Sequence, residues 1–365
     1  MLKIKFEKSH LVNVVKTVTM KPTKTLPIID TFAITVKKGG KAFLSVTNLD
    51  HYVTTPLPII SATGVGGIII NRKDLNNAAK NVPDKPLELT AADGKAVLNY
   101  GKGNITFDIF DADQYPDYPQ PHGKGLSVKS ADLLDGLENV QHSISTDEVK
   151  YNLNGAYVEI CQGSMAVIGT DGHRLTRALF GDKEPSKKTA KGFFVGLGVY
   201  SSAIAILKAD PKATVKVHKD EGGGNSIFIV GDSTFVTKMD GVFPDYRKVI
   251  PKKHGKTILL DKAAASEALT RVKKISGAEA VSLSFDSGKL NIASRNHEGP
   301  TVEESLNARG SRLAKVAYNV GYMLDFIKTV DGDKIGVNFQ SEIHPGLFLN
   351  PNTPSLTEVI MPTRL

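Results

Sequence analysis

The sequence predicts an α+β fold of three similar domains, each with two helices packed on antiparallel sheets. Three amphipathic helix candidates begin about 120 and about 130 residues apart, an interval typical of one domain. A second set of three helices recurs at a similar spacing, and alternating stretches rich in β-branched residues lie between the helices. Helix pairs that recur among strands indicate a repeated α+β unit.

The helix candidates have apolar residues at three- and four-residue spacing. Each helix of the first set opens on Ser or Asp, residues that cap helix N-termini. The first set is Ser9–Met20, Ser130–Ile144 and Asp261–Ile275, and the second set is Arg72–Val82, Val199–Ala209 and Val320–Val330.

Glycine and proline mark the turns and the domain boundaries. The pairs Gly39-Gly40 and Ser287-Gly288 predict hairpin turns between alternating stretches. Prolines and glycines in Tyr115–Gly125 interrupt helix and strand alike, so we expect this segment to be irregular, and Pro251–Gly255 is a second break. These breaks place domains at residues 1–124, 125–250 and 251–365.

The composition is that of a soluble globular protein. Of 365 residues, 41% are hydrophobic and 23% charged, and no apolar run reaches the length that spans a bilayer. The first ten residues lack the apolar core of a signal peptide. A single cysteine, Cys161, excludes an internal disulfide and a multi-cysteine metal site and suits the cytoplasm. The net charge of +8 favours a polyanionic partner, most simply nucleic acid.

The run Thr170–Leu175 (TDGHRL) follows the apolar stretch MAVIG and is the strongest candidate for chemistry. Asp171 beside His173 suggests a hydrolase-like base with its orienting acid, but the sequence specifies no nucleophile. The alternative is a tight turn in which Asp171 binds its own backbone and Gly172 adopts an unusual dihedral angle. The chain has no Walker loop, GxSxG or HExxH motif, so we predict no catalytic residue, no metal and no cofactor.

Basic side chains form a second group. On helices they would follow a duplex backbone through counterion release without reading bases, although a solvated helix face is the plainer interpretation. A basic DNA-binding protein that forms no ring also fits this pattern. The candidate DNA-binding residues are Lys21, Lys24, Arg72, Lys73, Lys80, Arg271, Lys273 and Lys274.

Several separated motifs together resemble one family. They are TLPII (25–29), YNLNG (151–155), TDGHRL (170–175), FPDYRKVIP (243–251), YNVGYMLD (318–325) and the closing MPTRL (361–365). In this combination and order the chain resembles the bacterial beta sliding clamps, the processivity subunits of DNA polymerase III. The resemblance covers the whole length and implies a non-enzymatic homodimer, closed head to tail into a ring around duplex DNA.

The resemblance also implies partner proteins and sites. A cleft would receive short peptides from the polymerase III alpha subunit, the clamp loader and other proteins with a clamp-binding motif, and no membrane is involved. Tyr151 and Asn152 would lie near the DNA. Lys248 stands where the family commonly has arginine. The implied cleft residues are Leu153, Thr170, Gly172, His173, Arg174, Leu175, Pro244, Lys248, Val249, Ile343, Pro345, Val359, Ile360, Met361, Pro362, Thr363 and Arg364.

The implied subunit interface joins two strand edges. The stretch Asn104–Phe107 would pair with an edge of the third domain of the other subunit, because an exposed strand edge needs a partner. Lys102, Ile105 and Phe107 are expected on one side, and Glu298, Glu303 and Glu304 on the other.

Overall fold

Antiparallel strands and helices build the part of the chain that the computed structural model describes, which is residues 1–20, 26–239, 241–252, 257–294, 299–310 and 313–363. No helix in this part of the chain is long and apolar enough to cross a membrane. The helices of ten or more residues are α1 (Lys8–Thr17), α2 (Arg72–Asn81), α3 (Ser130–Val140), α4 (Leu197–Ala209), α5 (Lys262–Ser276) and α6 (Val320–Thr329).

The strands alternate with these helices along the chain. They are β1 (Leu2–Glu7), β2 (Thr31–Val36), β3 (Ala42–Thr47), β4 (His51–Leu57), β5 (Ser61–Thr63), β6 (Gly66–Asn71), β7 (Pro86–Ala92), β8 (Lys95–Asn99), β9 (Asn104–Phe110), β10 (His122–Lys129), β11 (Gly155–Cys161), β12 (Ser164–Thr170), β13 (Arg174–Phe180), β14 (Lys191–Gly196), β15 (Thr214–Lys219), β16 (Asn225–Val230), β17 (Ser233–Lys238), β18 (Ile258–Asp261), β19 (Ala280–Asp286), β20 (Lys289–Ser294), β21 (Val302–Asn307), β22 (Leu313–Asn319), β23 (Lys334–Asn338), β24 (Gly346–Leu349) and β25 (Leu356–Ile360).

All six predicted helices are confirmed, with ends that differ by a few residues. The Asp261 carboxylate caps α5 by accepting a hydrogen bond from the Ala264 amide at 2.8 Å, as predicted. The predicted cap at Ser9 is wrong. Strand β1 runs in extended conformation to Glu7 and α1 begins at once at Lys8, so Ser9 already lies inside the helix.

Contacts between elements divide the chain into two units. Unit 1 contains Met1–Leu134 and Phe193–Asp240, and unit 2 contains Asp135–Gly192 and Gly241–Leu365. This division cuts across the predicted middle domain. Within unit 1, β17 pairs with β4, and within unit 2, β13 pairs with β25. The division at residues 1–124, 125–250 and 251–365 stays a prediction.

Unit 1 is built on one long antiparallel sheet. Its strand order is β10-β15-β16-β17-β4-β3-β2-β6-β9-β8-β7-β1-β5. Helix α1 contacts α2 and α4, and apolar side chains such as Ile4, Phe6 and Leu11 are fully buried among these elements.

Unit 2 contains two antiparallel sheets. One has the neighbouring strands β11-β12-β13-β25-β24-β23-β18, and the other has the order β21-β20-β19-β22. Helix α5 contacts α6 and strand β21. The buried residues Tyr318, Phe326 and Phe348 form edge-to-face aromatic pairs between α6 and the strands.

The turn predictions are confirmed, whereas one loop prediction is partly wrong. Both predicted hairpin turns connect paired strands, β2 to β3 and β19 to β20, through residues with positive φ. The end of the segment Tyr115–Gly125 is not irregular, because β10 begins at His122 and pairs with β15. The register shifts after His122, and a side chain at Gly125 would collide with the His218 ring at 2.5 Å. The glycine therefore permits this strand rather than breaking it.

Candidate peptide-binding cleft

The TDGHRL run is a tight turn between β12 and β13 that uses its polar side chains to fix the backbone. The Thr170 hydroxyl donates to the Arg174 carbonyl at 2.6 Å and accepts from the Gly172 amide at 3.1 Å. The Asp171 carboxylate accepts from the amides of His173 and Arg174 at 2.8 and 2.9 Å. Gly172 has φ +91°, a conformation that favours glycine. The predicted structural turn is thus confirmed.

Asp171 does not orient the His173 imidazole. Among the described residues, its carboxylate binds backbone amides and the Arg174 guanidinium, whose Nε lies 3.1 Å away. The acid is therefore engaged in holding the turn and the arginine, and the arrangement needed for a base with its orienting acid is not formed.

Arg174 is held from three directions. Its side chain is only 10% exposed, and besides Asp171 it donates to Asp325 on α6 at 3.1 Å. The guanidinium carbon lies 4.3 Å from the centroid of the Tyr322 ring. Burial opposes ionisation of Asp325, but hydrogen bonds from Arg174 and Lys328 outweigh it and lower the pKa of this carboxyl. The turn is thereby fastened to α6.

The FPDY segment, Phe243–Tyr246, packs on strand β11. The Phe243 ring stacks on Tyr157 with centroids 4.6 Å apart and an interplanar angle of 7°. The Tyr246 hydroxyl donates to Glu159 at 3.0 Å, and Arg247 donates to both oxygens of the same carboxylate. Burial and the Glu159 charge raise the pKa of Tyr246, so this hydroxyl stays a donor.

The turn, the FPDY segment and β25 enclose a cavity of about 130 Å³, which we call the FPDY cavity. Its walls are apolar side chains with a polar margin, the usual composition of a site that takes one or two large apolar groups. The lining residues are Leu153, Thr170, Gly172, His173, Arg174, Leu175, Phe243, Pro244, Asp245, Tyr246, Val249, Val359 and Met361.

Ten residues of the predicted cleft line this cavity, and the others lie elsewhere. Ile360 is fully buried and is not among the lining residues, whereas Val359, its neighbour on the other face of β25, is among them, so the place of Ile360 in the cleft wall stays a prediction. Arg364 lies outside the described residues. The remaining predicted residues are not among those that line the cavity: Lys248, Ile343, Pro345, Pro362 and Thr363.

Three lining residues were missed by the sequence prediction. Phe243, Asp245 and Tyr246 belong to the same FPDY motif as the predicted Pro244. The motif itself was the available signal, since its four consecutive residues all line the cavity. Asp245 also binds Lys187 at 2.7 Å, which places a lysine at the cavity margin.

The candidate DNA-binding residues fall into two groups. Lys73, Lys80, Lys273 and Lys274 are exposed, and none of them has an ion-pair partner among the described residues. Tyr151 is also exposed, whereas Asn152 donates to the Val242 carbonyl at 3.2 Å. Lys21 and Lys24 lie outside the described residues.

Two predicted DNA-binding arginines have structural partners. Arg72 is only 7% exposed, because its guanidinium binds Asp30 at 2.8 Å and the Met20 carbonyl at 2.8 Å, so its assignment to an exposed lining is wrong. Arg271 donates to both carboxylate oxygens of Glu304 at 2.9 and 2.7 Å. A predicted DNA contact and a predicted interface residue thus bind each other within unit 2.

Among the described residues, the two predicted interface edges each have a side on which no strand of their own unit pairs along the predicted residues. In unit 1, β9 pairs with β8 along its length, whereas its described pairing with β6 starts only at Ile109. A cavity of about 590 Å³ lies beside this edge, lined by α2 and by residues including Ile105 and Phe107. In unit 2, β21 is the edge strand of its sheet and carries the exposed Glu303. Glu298 lies outside the described residues.

Comparison with known proteins gives a consistent family. The chain matches the family models of the DNA polymerase III beta subunit for the central domain at residues 127–245 and for the C-terminal domain at residues 247–364. It is 25% identical to the beta sliding clamp of Pseudomonas putida over 349 residues, 94% of each chain. It is 26% identical to the beta sliding clamp of Caulobacter vibrioides over 357 residues, 93% of each chain.

Solved structures share the fold. The DNA polymerase III beta subunit of Thermotoga maritima aligns with a TM-score of 0.89 at 21% identity over the whole of both chains. A sliding clamp of Pseudomonas aeruginosa bound to griselimycin aligns with a TM-score of 0.89 at 22% identity, again over both whole chains. The chain belongs to the DNA polymerase III beta subunit family, the beta sliding clamps, which are non-catalytic processivity factors.

Proposed function

We propose that this protein closes as a homodimer around duplex DNA in the cytoplasm and holds replication proteins at the FPDY cavity. The observation that carries the proposal is the cavity itself, in which ten residues of the predicted cleft from four separate segments line one apolar space. Such a space anchors a short peptide through one or two large side chains. The polymerase III alpha subunit, the clamp loader and other proteins with a clamp-binding motif are the proposed donors of that peptide.

The predicted cleft residues outside the cavity extend the proposed site. A peptide longer than its anchor would continue from the 130 Å³ cavity along neighbouring surface. Ile343 is 81% exposed and Lys248 is exposed, so both are available to such a peptide. Pro345, Pro362 and Thr363 complete the proposed extension.

The head-to-tail dimer is proposed from the two strand edges. The edge of β9 at residues 104–107 and the edge strand β21 each offer backbone groups for pairing, and open edges invite it. Lys102 and Glu303 carry opposite charges and are both exposed. A head-to-tail contact of this kind closes into a ring of two subunits when the rotation that relates one subunit to the next is half a turn. The division into three domains is retained as part of this proposal.

A loading experiment tests the ring. Labelled protein is placed by a clamp loader on nicked circular DNA, and retention is followed by gel filtration before and after linearisation. A closed ring stays on the circle and is lost from linear DNA, whereas ordinary binding depends on salt and not on free ends. Retention that does not change on linearisation would overturn the proposal and favour a basic DNA-binding protein without a ring.

An interface variant provides the matched arm of this experiment. Ile105→Asp places a carboxylate at the proposed edge, and we expect a monomer in sedimentation that fails to stay on circular DNA. Val65→Asp adds the same charge at a 63% exposed apolar residue of unit 1 and should remain a loaded dimer. A dimer with Ile105→Asp would contradict the assigned edge.

A further inference from the structure

The turn of the FPDY cavity has a counterpart among the described residues. Thr47–His51 (TNLDH) repeats the hydrogen bonds of Thr170–Arg174 (TDGHR). In each, the threonine hydroxyl accepts from the amide two residues on and donates to the carbonyl four residues on. Leu49 has φ +77° where Gly172 has φ +91°. A leucine rarely adopts this conformation, so the repeated bonding pattern and not the residue type fixes the turn.

The FPDY segment is also repeated. Tyr115–Tyr118 reads YPDY and Phe243–Tyr246 reads FPDY. We call the Thr47–His51 turn, the YPDY segment and the strands beneath them the first copy, which lies in unit 1. The second copy is the corresponding turn, FPDY segment and strands of unit 2.

Strand register identifies which residues correspond beneath the two segments. Ala33 pairs with the residue two before Thr47, and Tyr157 pairs with the residue two before Thr170. Ala33 of the first copy therefore corresponds to Tyr157 of the second.

Two further correspondences follow in the same way. Thr35 and Glu159 each pair with the residue four before the threonine of the turn. Gly67 and Gly192 each lie four residues before the N-cap of the next helix, α2 or α4.

In the second copy, side chains of the protein fill the space beneath the segment. The Tyr157 ring stacks on Phe243, and its hydroxyl lies over Gly192, where an added Cβ would stand 2.0 Å from the tyrosine oxygen. Two residues further along the strand, Glu159 places a carboxylate in the same layer and binds Tyr246. An aromatic ring and a carboxylate therefore occupy this space.

In the first copy the same space is a cavity of about 320 Å³, which we call the YPDY cavity. The ring and the carboxylate are replaced by the small residues Ala33 and Thr35. Gly67 is retained, and the methyl group of Ala112, not a tyrosine ring, lies over it at 3.2 Å from the position of an added Cβ. Ala33, Thr35 and Gly67 line the cavity, together with the four residues of the YPDY segment. The Tyr115 hydroxyl is buried and has no hydrogen-bond partner among the described residues.

One cationic side chain at the cavity is available to an acid. Lys37 also lines it, with its ammonium 4.7 Å from the centroid of the Phe43 ring, and it follows Thr35 by two residues. Asp117 lines the cavity as well. In the second copy, Asp245 and Glu159 are accommodated together because each binds a cation, Lys187 and Arg247 respectively, so an acid in the first copy needs a cation as well, and Lys37 supplies it.

We propose that the YPDY cavity binds a small aromatic carboxylic acid, with its ring over Gly67 against Tyr115 and its carboxylate near Thr35 and Lys37. The ligand takes the place that Tyr157 and Glu159 fill in the second copy. The volume is at the lower end of the range for small-molecule sites, which suits one ring with a short acidic arm.

The probe for the test is para-hydroxyphenylpropionate, with its amide as the uncharged analogue. Binding to the full-length protein is titrated by saturation-transfer NMR up to about 10 mM, a range set by the modest affinity of so small a ligand. We expect saturable binding by the acid and at least about fivefold weaker binding by the amide, because the amide loses its charge interaction with Lys37.

Three variants locate the site. Ala33→Tyr supplies the ring of the second copy and should abolish binding. Lys37→Glu should weaken binding by about tenfold through charge reversal. Lys38→Glu makes the same change at the neighbouring exposed lysine, which does not line the cavity, and should bind like wild type. If Ala33→Tyr does not fold, Lys37→Glu still tests the site, because Lys37 is exposed.

The same titration is repeated with a clamp-binding peptide present. Unchanged probe binding is expected, because the peptide is assigned to the FPDY cavity. Any of four results would overturn the proposal. The peptide displaces the probe, the acid and the amide bind with equal affinity, binding of the acid does not saturate, or Lys37→Glu and Lys38→Glu weaken probe binding equally. The outcome is independent of whether the protein forms a ring on DNA.

Discussion

The FPDY cavity and the exposed lysines of the helices are built in opposite ways. At the cavity, Arg174 is only 10% exposed and is held by Asp171, Asp325 and the Tyr322 ring. Lys73, Lys80, Lys273 and Lys274 are exposed, with no ion-pair partner among the described residues. The proposed peptide site requires fixed geometry, whereas the proposed DNA-facing surface requires charge without fixed contacts.

The largest effect is expected at the cavity. Met361 is 43% exposed and lines the FPDY cavity, so Met361→Asp places a carboxylate where the peptide anchor is proposed to bind. Loss of a central apolar contact costs about 2–4 kcal/mol, so we expect affinity for a labelled clamp-binding peptide to fall by at least about thirtyfold. Fluorescence anisotropy with wild type and variant measures this change.

The matched control is Val242→Asp. Val242 is 84% exposed and adjoins the FPDY segment without lining the cavity, so its variant should bind the peptide as wild type does. Both variants should melt close to the wild-type temperature. Equal affinities of Met361→Asp and wild type would show that the peptide binds elsewhere and would remove the contrast between the two regions.

The parts of the fold governed by local sequence were predictable. All six helices were recognised because apolar spacing reports the buried face, and the turn at Asp171 and Gly172 was recognised because its bonds lie within five residues. Arg72 could not be placed, since its burial depends on Asp30 and Met20, which are distant in sequence.

The candidate site shows the same limit. Motifs predicted which segments meet at the cavity, but not which side chains face it. Val359 and Ile360 are neighbours in one apolar run, and only the pairing of β25 with β13 decides which one faces the cavity. The ion pair between Arg271 and Glu304 could not be predicted from sequence either, because the two residues lie on different elements of the fold, α5 and β21.

A smaller effect is expected at the helix lysines, and Arg271 sharpens the contrast. Lys274→Ala should weaken DNA binding only slightly and reduce the slope of log affinity against log salt by about 0.9, the value for one lost phosphate contact. Arg271→Ala should change the slope less, because the Arg271 guanidinium is already bound by Glu304. Binding to short duplex DNA, titrated at several salt concentrations, measures both slopes. A larger change for Arg271→Ala would mean that the arginine leaves Glu304 for DNA.

The smallest effect on peptide binding is expected from Glu358, which lies next to Val359 but on the opposite face of β25. Its carboxyl is fully buried and bound by His142 at 2.7 Å and by Thr176 at 3.2 Å. Burial raises the pKa of Glu358 above its ordinary value of 4.5, and the hydrogen bond from His142 opposes this only in part. The folded protein therefore retains this proton at pH values where the unfolded chain has released it.

Stability gained from that proton is complete below pH 4.5 and is lost as pH rises through the raised pKa. A glutamine at position 358 cannot titrate. The melting temperature of wild type minus that of Glu358→Gln should therefore decrease as pH increases, by about 2–4 °C for each kcal/mol of unfolding free energy that is lost. Calorimetry from acidic to mildly basic pH measures this difference, while peptide affinity at neutral pH should change by less than about twofold, because Val359 keeps its cavity position. A relative melting temperature that rises with pH would reverse the assigned direction. A large loss of peptide affinity in Glu358→Gln without a loss of stability would mean that the buried carboxyl group acts directly on the FPDY cavity. Peptide binding would then depend on charge, as DNA binding at the helix lysines is expected to do.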